Sequence, residues 1–138
     1  MLFRSMSDRP VNVTAWIRKA EQNLAAVALL IPSDDAPWDI VVFHAQQAAE
    51  KFLKAFLVSR EQQPPKVHDL PRLLKLCVAF APDLARFADE CAFLSPLAVL
   101  SRYPGDEAES AREDAEKGID IARRIREAIL EHLAAPGQ

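Results

Sequence analysis

The segment from Phe43 to Phe56, FHAQQAAEKFLKAF, constrains the fold more than any other stretch of the chain. Neither Gly nor Pro interrupts it, so intrinsic propensity favours a helix throughout. On a wheel of about 100° per residue, Ala45, Ala48, Ala49, Phe52, Ala55 and Phe56 share one arc, with Leu53 at its border. Gln46, Gln47, Glu50, Lys51 and Lys54 fill the opposite arc, and His44 sits between the two. Phe43 and Ile40 fall inside the polar arc, where a purely solvated face would not need them. The polar arc is therefore expected to pack against a second surface, either a dimer partner or the loop carrying Arg102 and Tyr103.

The ten prolines, at positions 10, 32, 37, 64, 65, 71, 82, 96, 104 and 136, punctuate the rest of the chain. The intervals between them read as helices. The first runs from about Val13 to Ile31, with Asn12 or Thr14 as N-cap and Trp16, Ile17, Ala20, Leu24, Val27 and Ile31 on its buried stripe. The second runs from about Trp38 to Arg60. A third starts at His68-Asp69-Leu70-Pro71, with Asp69 as cap and Pro71 tolerated in the first turn, and buries Leu73, Leu74, Cys77 and Phe80. Pro82 opens a fourth segment through Leu84, Phe87, Cys91 and Leu94. Ser95 to Gly105 is expected to be an irregular connector that can hold a short turn of helix.

The last helix is expected from about Asp106 to Leu133. Asp106, Glu107 and Glu109 at its start and Arg123, Arg124 and Arg126 towards its end complement the helix dipole. Four of the seven residues in its seam of Ala111, Ala115, Gly118, Ala122, Ile125, Ile129 and Leu133 are Ala or Gly, so a neighbouring helix can approach closely. No segment alternates as a strand does. The fold class is all-α: an antiparallel up-and-down bundle of four main helices with a short additional helix. Residues 1–10 are expected to be extended or disordered, 11–134 to form a single domain, and 135–138 to be a disordered tail.

Composition bounds the function. Among 138 residues, 50% are hydrophobic and 27% charged, the balance of a globular domain that can bury roughly 65–70% of its unfolded surface. A net charge of −3 gives no global attraction to nucleic acid or anionic membrane, so RNA binding would need a local patch. No apolar run approaches the roughly 18 residues of a membrane span. Met1 to Met6 is too short for a signal peptide, and Met6 is a second candidate start. Cys77 and Cys91 lie in apolar helical patterns and read as free core thiols of a cytoplasmic domain.

No familiar catalytic site stands out. The three histidines, His44, His68 and His132, lack the spacing of a helical metal site, and only three glycines exist, too few for a phosphate-cradling loop. No metal and no cofactor is expected. A distributed polar set remains: His44, Gln47, Glu50, Lys51 and Lys54, then His68 and Asp69, then Arg102 and Tyr103. A solvated face stitched by Glu50 and Lys54, a helix cap at Asp69 and a structural pin at Arg102-Tyr103 would account for these residues. Alternatively they form one anion-binding patch, with lysines and Arg102 as phosphate contacts.

The run Phe43 to Lys54 (FHAQQAAEKFLK), followed by His68-Asp69-Leu70 and then Ser101-Arg102-Tyr103-Pro104, resembles the HEPN domain (higher eukaryotes and prokaryotes nucleotide-binding). The order and spacing match over roughly Val13 to Leu133. The resemblance implies a helical bundle, commonly a homodimer, that binds a nucleotide or docks a minimal nucleotidyltransferase in a toxin–antitoxin-like pair. His44, Gln47, Glu50, Lys51, Lys54, His68, Asp69, Arg102 and Tyr103 are then the candidate nucleotide- or partner-binding residues. Many HEPN proteins are ribonucleases whose signature is an Arg followed, after four to six residues, by a His. The formal match here is Arg126 and His132, near the chain's end, and the chain resembles the branch without the nuclease motif. The alternatives are a metal-independent endoribonuclease acting on RNA as a dimer through those two residues, or a non-catalytic structural adaptor.

Overall fold

The computed structural model of the chain describes residues 12–100 and 112–135. Among these, α1 spans Val13–Leu30, α2 Trp38–Ser59, α3 Leu70–Val78, α4 Ala88–Leu100 and α5 Arg112–Ala134, with a 3-10 helix over Pro82–Phe87. The described residues hold no strand, and the chain is an all-helical bundle. No helix among the described residues is long and apolar enough to cross a membrane.

Local chemistry sets the boundaries. Asn12 caps α1, its Oδ1 accepting the Ala15 N–H at 2.8 Å. Asp69 caps α3 by accepting the Arg72 N–H at 3.2 Å, and Pro71 occupies the first turn, where no N–H is needed. After α2 the Glu61 N–H donates to the Val58 carbonyl and the Gln62 N–H to the Leu57 carbonyl, each at 3.0 Å. That paired closure puts Glu61 in the left-handed region at φ 60°, a place usually given to glycine.

The α2 helix is the axis of the bundle. Its Ala45, Ala48, Ala49, Phe52, Ala55 and Phe56 are fully buried, as the wheel requires, against α1 and α5. The α5 seam meets it through Ala115, Gly118, Ala122, Ile125 and Ile129, all buried. At Gly118 a Cβ would stand 3.8 Å from Ala45 Cβ and 3.1 Å from Leu94 Cδ1, so the missing side chain sets the approach of α5 to both α2 and α4. Helix α3, the 3-10 helix and α4 close the remaining side.

Three expectations are corrected. The helix does not break at Ser95: α4 runs through Pro96 to Leu100. Proline removes only its own N–H, and the carbonyl one turn back belongs to exposed Ala92, where water can serve it. Phe80 is 43% exposed rather than buried, because α3 ends at Val78 and the turn that follows carries it off the apolar face. Trp16, Ile17, Leu24 and Ile31 are only half-buried, since α1 packs on one side of the bundle. Within the polar arc of α2, Gln46, Glu50 and Lys54 are buried by the chain itself, whereas Ile40 stays 50% exposed. Ala111, the acidic residues 106, 107 and 109, and the connector carrying Arg102 and Tyr103 lie outside the described residues.

Candidate functional site

Gln46, Glu50 and Lys54 recur every four residues on α2 and are buried to 1%, 3% and 6% exposure. Burying such groups is unfavourable unless each finds a partner. Here each does. Lys54 Nζ donates to Glu50 Oε2 at 3.1 Å, and Gln46 Nε2 donates to the His68 carbonyl at 3.0 Å. The Glu50 carboxylate can only accept, so Nδ1 of His68 is the donor to it, at 3.0 Å. Gln47 Nε2 closes the chain by donating to Gln46 Oε1 at 2.8 Å. Among the described residues no buried side-chain polar atom lacks a partner. The Trp16 ring of α1 covers Lys54, 5.5 Å from its ammonium.

A second cluster faces α1. Asn23, 8% exposed, lies between His44 and Lys51. An ammonium cannot accept, so Lys51 Nζ donates to Asn23 Oδ1, at 2.7 Å. That turns the Asn23 amide nitrogen towards His44 Nδ1, at 2.9 Å, which must accept. His44 is thereby fixed as the neutral tautomer with its proton on Nε2. Its pKa is lowered accordingly, by burial first and by the Lys51 charge second. The Lys51 pKa is lowered too, by burial, against an opposing pull from Glu50 and with help from Lys19 and Lys54.

Beside the first cluster opens a cleft of about 480 Å³ lined by Gln46, Gln47, His68, Asp69 and Ser95, with Pro71, Ala92, Pro96 and Ala98 supplying apolar wall. Ser95 shapes it, its Oγ accepting the Leu70 N–H at 3.0 Å and so tying α4 to the start of α3. The structure thus gathers Gln47, His68 and Asp69 at one cleft, with Glu50 joined to it through His68 and Lys54 joined to Glu50. It places His44 and Lys51 on the neighbouring strip of α2, against α1. Sequence reasoning missed Asn23, Gln46 and Ser95. A polar residue in a helix announces burial only through partners 21 to 25 residues away, which periodicity cannot see.

Within the chain, Arg126 and His132 take separate partners. Arg126 forms a two-pronged pair with Glu21 of α1, at 2.7 and 3.0 Å, whereas His132 Nε2 lies 2.9 Å from Asp83 and edge-on to Phe56. Asp83 is held below the usual carboxylate range chiefly by that His132 contact. The described residues hold no group of His, Cys, Asp and Glu able to take a metal. Cys77 and Cys91 are free and buried, and burial pushes both thiols up to about 12.

Among solved structures, the crystal structure of ST0689, an archaeal HEPN homologue, superposes with a TM-score of 0.71 at 23% identity, covering 89% of this chain and 98% of its own. The crystal structure of TT1696 from Thermus thermophilus gives 0.65 at 23% identity, over 86% of this chain and 96% of its own. No curated protein matches the sequence. Both structures share the fold, and the HEPN domain family model matches residues 13–133, nearly the whole of the described bundle. With the α2 motif set at the centre of that bundle, this chain belongs to the HEPN domain family.

Proposed function

We propose that this HEPN chain is a non-catalytic binding module that takes a nucleotide in the cleft between α2, the start of α3 and α4, and that works beside a minimal nucleotidyltransferase. One observation carries the reading: about 480 Å³ of mostly apolar wall on which two Gln amides, an imidazole and a hydroxyl converge. Apolar surface with a few placed polar groups is how proteins hold a flat, hydrogen-bonding ring. The buried network below keeps Gln46 and Gln47 in fixed orientation, which reduces the ordering cost of binding. Apolar side chains left on the surface, Leu29 at 83% and Ile40 at 50% exposure, suit a homodimer or a protein partner.

Calorimetric titration with ATP, GTP, CTP and UTP tests the ligand. Saturable binding that is lost in Gln47→Leu supports the cleft; the absence of saturable binding to all four overturns it. Co-expression with a minimal nucleotidyltransferase encoded beside this chain tests the pair. Failure of the two to co-purify removes that part.

A further inference from the structure

Around α2, Gln46 and Glu50 face the start of α3, while His44 and Lys51 face α1. Gln47 falls between the two strips, one helical turn before Lys51. Four residues of helix advance about 6 Å, so the cleft at Gln47 and the ammonium of Lys51 lie along one short path.

Lys51 is not an ordinary surface lysine. Its ammonium is pinned at 2.7 Å to the oxygen of Asn23, which is itself buried and fixed by His44. Only one of its three donors is used there. Glu50 favours the Lys51 charge, while Lys19, one turn before Asn23 on α1, and Lys54 both oppose it. Glu50 is already shared by Lys54 and His68. Among the described residues, neither Lys19 nor Lys51 has an ion-pair partner. The His44 tautomer leaves an Nε2–H as a further donor on the same strip, without adding a like charge.

We propose that Lys51 and Lys19, with the Nε2–H of His44, form a phosphate subsite, so that a nucleotide whose base lies against Gln47 and His68 extends its phosphates along α2 towards α1. The subsite rests on the nucleotide-binding reading of the cleft. Lys54 does not belong to it, because its charge is matched by Glu50 and its ammonium is covered by Trp16. A phosphate would supply the negative charge that the α1–α2 strip lacks, and a pre-positioned ammonium binds it with little ordering cost.

The test titrates the full chain with guanosine and adenosine, their mono-, di- and triphosphates, and inorganic tripolyphosphate. In the wild type, affinity should rise by about tenfold or more from nucleoside to triphosphate, as charge-assisted contacts add. In the Lys19→Gln/Lys51→Met variant that rise should vanish while nucleoside affinity stays the same, and Lys51→Arg should keep most of it. Circular dichroism confirms that the variants are folded. If nucleosides bind but the wild type shows no rise, or the rise persists in the double variant, the subsite is overturned and the cleft reading stands. If tripolyphosphate binds and is lost in the double variant while nucleosides fail to bind, the subsite stands and the base site falls. If no probe binds, both fall.

Discussion

His68 Nδ1 lies 3.0 Å from Oε1 of Glu50, so the residue just before the α3 cap is tied to a carboxylate buried in the side of α2. The same carboxylate holds Lys54, at 6% exposure, and through Gln46 reaches the His68 backbone. Breaking one member of such a set leaves an uncompensated buried charge, whereas replacing the pair by apolar groups of similar size does not. Glu50→Ala should therefore destabilise the chain by about 3–5 kcal/mol. Glu50→Leu combined with Lys54→Met should recover most of that loss. Urea denaturation of the three proteins measures it, and a double variant no better than the single one would show that the ion pair contributes stability that apolar packing does not replace.

His44 gives the stability a pH dependence. Its folded pKa is lowered below 6.5, so as pH falls through 6.5 the unfolded chain takes up a proton that the folded chain refuses. Above 6.5 both states are neutral and the group contributes nothing. Stability should thus fall with acidification from about 6.5 down to the folded pKa, and the penalty is constant below it. Protonation would also displace the Asn23 amide from His44 Nδ1, loosening the pin on Lys51. His44→Gln keeps an acceptor without a titrating group. Denaturation midpoints measured from pH 7.5 to pH 5 should show a shallower fall for the variant than for the wild type. Parallel curves would assign the acid sensitivity elsewhere.

Much of this arrangement is legible in the sequence, and the part that is not has a common cause. The apolar arc of α2, the cap at Asp69 and the Ala/Gly seam of α5 are local patterns, fixed by spacing of three and four residues, and each appears where the pattern puts it. The polar arc, with Phe43 and Ile40 inside it, calls for a second surface. For Gln46, Glu50, Lys51 and Lys54 the chain itself supplies that surface, Asn23 and Trp16 on one side and His68 on the other, through contacts no periodicity encodes, while Ile40 stays exposed. The Ser95-Pro96 step reads as a break because proline usually ends a helix; here the freed carbonyl falls at an exposed residue and the helix continues. Glu50 and Lys54 are legible as a helical pair but not as a buried one. That difference separates a pair of little energetic consequence from one whose disruption is severe.

The two thiols offer a probe of the core. Cys77 and Cys91 are fully shielded, with pKa values pushed up to about 12, and Cys77 Sγ donates to the Leu53 carbonyl at 3.5 Å. A thiol protonated and buried at pH 8 cannot attack a disulfide reagent. Labelling by an aromatic disulfide should proceed no faster than opening of the bundle and should accelerate with urea in step with unfolding. Rapid labelling of either cysteine in the native protein would mean that the α2–α3–α4 core opens locally.

Glu61 occupies a left-handed position that closes α2, with φ 60°. A side chain there is unfavourable by about 1 kcal/mol relative to glycine. Glu61→Gly keeps the two closing hydrogen bonds to Leu57 and Val58, relieves that strain and loses only some unfolded-state entropy. The net gain should be about 0.5 kcal/mol, or roughly 1–2 °C in Tm for a chain of this size. A calorimetric scan decides; an unchanged or lower Tm would mean the turn relaxes around glutamate at no cost.

Gly118 allows the opposite experiment, filling space instead of relieving strain. A methyl there would stand 3.1 Å from Leu94 Cδ1, the movable tip of a side chain, and 3.8 Å from Ala45 Cβ. Helix propensity favours Gly118→Ala by about 0.5–1 kcal/mol, and a shift of the Leu94 tip by a few tenths of an ångström offsets part of it. The alanine variant should therefore stay within about 1 kcal/mol of the wild type. Gly118→Val adds branches that the Leu94 tip cannot clear, and overpacking should cost about 1–3 kcal/mol. Leu94→Ala alone opens a cavity in fully buried surroundings and should cost about 2–5 kcal/mol. Joined to Gly118→Val, it makes room for the new methyls, so the double variant should be markedly more stable than the sum of the two single losses predicts. Additive losses in a double-mutant cycle would mean that α5 moves away from α2 and α4 as a body, and that the Gly118 contact is not what sets their separation.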